Sequence, residues 1–76
     1  MVISDKGKEI MKAMAKNGTA FQSPSKIGEA CGKSYYNSSS WTCSGLQPLA
    51  RAGFVVRNDK GHWALTPVGL ERAATL

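Results

Sequence analysis

Two short apolar runs, Phe54-Val55-Val56 and Trp63-Ala64-Leu65, flank the cluster Asn58-Asp59-Lys60-Gly61 and lead directly into Thr66-Pro67. No other feature limits the fold of this chain as much. Side chains alternate across a strand, so Phe54 and Val56 belong to one side and Val55 and Arg57 to the other. Trp63 and Leu65 alternate with His62 and Ala64 in the same way. A turn-forming cluster between such runs predicts an antiparallel β-hairpin with its tip at 58–61. Thr66 then offers an oxygen to a helix N-terminus, and Pro67 suits the first helical position. The hairpin should return into a short helix with Val68, Leu70 and Ala73 or Ala74 turned inward.

Upstream, Ser4 or Asp5 can cap a helix that Asn17-Gly18 would stop. Its apolar residues Ile10, Met11 and Met14 share a face, and Lys8, Lys12 and Lys16 repeat four apart on another. That lysine row reads as a solvated outer face or as a stripe turned to phosphate. The following Thr19-Ala20-Phe21-Gln22 can run extended. Ser23 as cap, Pro24 at the first position and Gly32 as terminator mark a second helix of about two turns. Ile27, Ala30 and Cys31 form its apolar stripe, and a helix so short needs packing to persist.

Between these parts lies a segment with serine at 38, 39, 40 and 44, threonine at 42, and Gly45 and Pro48. Such a composition suggests a spacer, but the spacing does not. Thr42, Leu46 and Leu49 fall on one helical face with Gly45 beside them, while Ser40, Ser44, Gln47 and Arg51 fall opposite. A helix from Ser38 to Ala52 follows, with Asn37 or Ser38 as cap and Gly53 as stop. Pro48 removes a backbone bond and should kink or break it near Gln47. Tertiary contacts must hold such a helix, and its outer face of small hydroxyls can approach phosphates or base edges closely.

The 76 residues suit one domain, 1–76, and a domain of this size buries only roughly 60% of its unfolded surface. A hydrophobic content of 42% supports a core. No apolar run approaches the ~20 residues of a membrane span. The start resembles no secretory signal, so a cytoplasmic protein without membrane contact is expected. Cys31, Cys43 and His62 are too few and too scattered for a closed zinc site, and the cysteines read as small apolar thiols. Ten Lys and Arg against five acids give a net charge of +5, which suits an anionic partner.

The step Leu49…Gly53-Phe54-Val55, an L-x-x-x-G-F-V pattern, and the return Leu65-Thr66…Gly69, an L-T-x-x-G pattern, resemble a winged helix-turn-helix domain of the MarR-like transcriptional regulator type. The resemblance spans roughly Phe21 to Ala74 and lacks the length for the long flanking helices of dimeric members. It implies an α+β fold: a three-helix core, a small antiparallel hairpin wing and a short C-terminal helix. It also implies DNA binding, with the third helix in the major groove and the wing on the backbone or in the minor groove. On that pattern Ser39, Ser40, Ser44 and Gln47 face base edges and phosphates. Lys33, Tyr35 and Tyr36 touch backbone from the turn before the third helix, and Arg57 and Lys60 anchor the wing. Double-stranded DNA is the implied partner, with a homodimer or a partner protein alongside it.

The same fold also serves protein contact, and the sparse charge of the third helix keeps that alternative in view. Lys26 and Lys33 flank the second helix, where phosphate contact and solubility are both sufficient reasons for a lysine. Trp63 reads as core. Trp41 lies beside the apolar face, at the core edge or against a partner. An enzyme is not expected. His62 has no serine-carboxylate pairing around it, and Gly28-Glu29-Ala30-Cys31-Gly32-Lys33-Ser34 has its first glycine too close to the lysine for a phosphate loop. No cofactor is implied.

Overall fold

The computed structural model describes residues 3–33 and 35–76, with the side chains of 35–37 outside that description. The described residues form α1 (Asp5–Ala15), α2 (Pro24–Ala30), α3 (Tyr35–Arg51), β1 (Val55–Arg57), β2 (Trp63–Leu65) and α4 (Pro67–Ala73). This is an α+β arrangement of four helices and a two-stranded antiparallel hairpin.

α1 begins where Ser4 Oγ accepts the Gly7 N–H at 3.1 Å, with Asp5 set at the positive end of the helix dipole. Ile10, Met11 and Met14 are fully buried, and Lys8, Lys12 and Lys16 are exposed. α2 begins on Ser23, whose Oγ accepts the Lys26 N–H at 3.3 Å, and carries Pro24 in its first turn. Ala30 is exposed rather than inward, while Cys31 is half-buried. The buried arc centres on Ile27 and Gly28, and at about 100° per residue Ala30 falls outside it.

Gly28 explains that centring. A Cβ there would lie 2.6 Å from the Ser38 Cβ and carbonyl oxygen and 2.7 Å from Thr42 Oγ1. α2 and α3 therefore meet through side chains of minimal size. α1 crosses α3 just as closely at Gly45, where an added Cβ would meet Ile10 Cδ1 and come within 3.2 Å of Lys6 Cε. The inward hydroxyls of α3, Ser38 and Thr42, are thus steric, because the Gly28 contact leaves room there for little else.

α3 starts earlier than the sequence suggests. It opens at Tyr35, so Asn37 and Ser38 lie inside the helix and do not cap it. Ser38 is fully buried against α2. Tyr35 and Tyr36 likewise belong to the first helical turn, not to a preceding loop. The helix also runs without a break through Pro48, which is exposed. Burial of Leu46 and Leu49 on either side offsets the ~3 kcal/mol that an interior proline costs.

The end of α3 is closed by Gly53 at φ 82°, with its N–H on the Ala50 carbonyl at 3.1 Å and the Phe54 N–H on Leu49 at 3.0 Å. This pair of bonds is a Schellman motif, which needs a left-handed residue at Gly53. β1 then pairs with β2 in the register Val55 to Leu65, Val56 to Ala64 and Arg57 to Trp63. At the tip Asn58 Oδ1 accepts from the Lys60 and His62 N–H groups at 3.0 and 2.9 Å. On its other side Trp63 exchanges two 2.8 Å backbone bonds with Gln22, so the piece before α2 meets β2 through a single antiparallel bridge. Gln22 is itself buried, donating to the Met14 carbonyl at 3.3 Å and accepting from Asn17 Nδ2 at 3.1 Å.

Thr66 ties three elements together. Its Oγ1 accepts the Gly69 N–H at 3.0 Å and donates to the Gly53 carbonyl at 2.7 Å, while its own N–H reaches the Phe54 carbonyl at 3.0 Å. Gly69 rests on the Phe54 backbone, where a Cβ would lie 2.8 Å from the carbonyl carbon. Gly69 thereby takes the inward position expected of Val68, which is 59% exposed; Leu70 is half-buried, Ala73 is buried and Ala74 is exposed.

One buried group is left over. Thr42 Oγ1 has no hydrogen-bond partner among the described residues. A buried hydroxyl without a partner costs about 1–3 kcal/mol. Thr42→Val keeps the shape, so it should stabilise the fold by about 1 kcal/mol and raise the thermal midpoint by roughly 4–8 °C. Thermal unfolding followed by circular dichroism checks this. A fall of similar size would mean that the hydroxyl is bonded in solution.

Candidate functional site

The outward face of α3 presents Ser39, Ser40, Ser44, Gln47 and Arg51, all exposed. Their spacing puts 40, 44, 47 and 51 along one stripe, with Arg51 as the single formal charge. Cations from two other segments stand at the side of that stripe. Lys6, in the first turn of α1, places Nζ 4.9 Å from the Trp41 ring centroid, and Lys33, between α2 and α3, places its Nζ at 4.7 Å. Ammonium groups at this range are attracted by the negative face of the indole ring.

Trp41 is half-buried and packs against the core edge. Lys6 Nζ also donates to Ser44 Oγ, which in turn donates to the Trp41 carbonyl at 2.9 Å. Lys6 can reach Ser44 because its stem runs past Gly45, within 3.2–3.3 Å of where a Cβ would sit. Ser44 is exposed but already bonded. The sequence gives no local sign of Lys6, which is 38 residues from Ser44. A glycine inside a helix was the available hint that another element crosses there.

Lys33 is exposed, as a phosphate contact requires, but it is held over Trp41. The side chains of Tyr35 and Tyr36 lie outside the described residues. Arg57 and Lys60 are exposed on the hairpin, where the Arg57 Nη2 lies 3.5 Å from the position of a Gly61 Cβ. They make a second cationic group on a separate element.

His62 is half-buried beside an open groove lined by Asn17, Phe21, Gln22, Ser23 and Lys26, with Phe21 half exposed. Cys31 and Cys43 are both free and half-buried. The Cys31 thiol donates to the Glu9 carbonyl at 3.7 Å. Burial, and then the Glu9 charge, push its pKa up, with Lys33 and Lys16 opposing. A thiol held protonated is a poor nucleophile. Among the described residues no group of three or more His, Cys, Asp or Glu could hold a metal ion, and no helix is long and apolar enough to cross a membrane. Comparison with protein-family models, with curated proteins and with solved structures gave no match.

Proposed function

We propose that this chain is a winged helix-turn-helix protein that binds duplex DNA through α3 and the β1–β2 hairpin, as a small cytoplasmic transcriptional regulator or accessory factor of the MarR-like type. The observation that carries the reading is the exposed face of α3, where hydroxyls and Gln47 stand on a helix that contains no Asp or Glu. Small donors there can enter a groove without bulk, and the phosphates on either side would meet the lysines beside Trp41 and the cations of the hairpin. The contacts between Leu49, Gly53, Phe54, Thr66 and Gly69 give the two matched sequence patterns a physical purpose, because they fix the angle at which the wing leaves α3. A homodimer or a partner protein would supply a second half-site.

Fluorescence anisotropy with a labelled mixed-sequence duplex tests this. Four phosphate contacts predict a log-log salt slope near −3.6, so affinity should fall roughly a hundredfold between about 50 and 200 mM salt. A folded protein that fails to bind at low salt would overturn the DNA reading. A protein-contact module would then stand, favoured by the lone formal charge of Arg51 on the α3 stripe.

A further inference from the structure

We infer that Lys6 and Lys33 form a phosphodiester clamp built on Trp41, which adds a backbone contact from α1 to the α2–α3 pair. The inference rests on the DNA reading above and deepens it, by joining the two lysines beside Trp41 into one backbone-binding unit. Both ammoniums lie within 5 Å of one ring centre, so they stand no more than about 10 Å apart. Among the described residues the ring and the Ser44 hydroxyl engage these ammoniums, and neither carries formal charge.

Two ammoniums gathered on one ring make a local patch of positive charge that attracts an anionic strand. A duplex, with a negative charge every ~1.7 Å of axis, can offer a separate phosphate to each. The ring and the Ser44 oxygen also order the lysine side chains in advance, which removes part of the entropy that a flexible lysine loses on binding. The clamp lies at the Trp41–Ser44 turn, beside the stripe proposed to enter the groove. It reads the strand but not the bases, so it should strengthen binding to every sequence alike.

The test is duplex anisotropy at two salt concentrations with Lys6→Gln and Lys33→Gln. Each should weaken binding several-fold and reduce the magnitude of the salt slope by about one. Lys12→Gln, exposed on the same helix but away from Trp41, should leave the slope unchanged. Lys6→Arg keeps the charge and should restore the slope, which separates a charge contact from a folding defect. Duplex should also change the indole emission of the parent and not that of Trp41→Phe, whose remaining Trp63 is buried. If the parent binds and both Gln variants keep its affinity and slope, the clamp alone is overturned. A parent that does not bind duplex overturns the clamp and the DNA reading together. Displacement of the duplex by inorganic phosphate at matched ionic strength would also overturn it, as a site for small anions.

Discussion

Gly69→Ala should lower the thermal midpoint by more than about 12 °C, because it drives a methyl group into the backbone of Phe54. Two effects oppose each other. Alanine improves helix propensity by roughly 1 kcal/mol over glycine inside α4. Overpacking costs about 1–3 kcal/mol where side chains can shift, and more here because the obstacle is main chain. The Phe54 carbonyl is also committed, since it accepts the Thr66 N–H at 3.0 Å. Relief would mean moving α4 away and breaking the Thr66 links to Gly53 and Gly69. The clash therefore wins by about 3 kcal/mol, a large part of the ~4–11 kcal/mol that holds a chain this long. Val68→Ala, one residue away and exposed, should stay within about 0.5 kcal/mol of the parent. Calorimetry on the pair checks the argument, and an undiminished midpoint for Gly69→Ala would show that α4 can leave Phe54 freely.

Ser40→Glu should abolish duplex binding, with at least tenfold loss of affinity at low salt, and leave the fold intact. Ser40 is exposed in mid-helix, and glutamate is a good helix former, so the backbone has no reason to respond. In the proposed groove the new carboxylate faces phosphate, and like charges brought together at an interface cost several kcal/mol. A tenfold loss needs only about 1.4 kcal/mol of that. Ser40→Ala, which removes a hydroxyl without adding charge, should weaken binding only slightly. Anisotropy alongside circular dichroism reads both variants. Unchanged binding by folded Ser40→Glu would take α3 out of the contact surface.

Much of the architecture could be read locally. Ser4, Ser23 and Thr66 cap the three helices they precede, because a capping oxygen and its N–H lie three residues apart. The hairpin was legible for the same reason: Asn58 closes a turn through N–H groups two and four residues on. What escaped was set by contact between distant segments. Ser38 reads as a cap by composition, yet it is buried because Gly28 of α2 lies against it. Val68 reads as inward by type, yet Gly69 takes that place because Phe54 approaches too closely for a side chain. Pro48 promises a break that α3 does not show, since its neighbours Leu46 and Leu49 are held in the core. The outward stripe of α3 followed from period alone. The Lys6 contact did not, because it joins α1 to the middle of α3.

Helices separated by long side chains can slide past one another, because each side chain changes rotamer to follow. α2 and α3 have little such play, since Gly28 and Ser38 leave no room between them even for a methyl group. The two helices must turn together like a rigid bracket. Whatever bending this unit allows falls to the hairpin arm, whose tip is closed by bonds to its own Asn58.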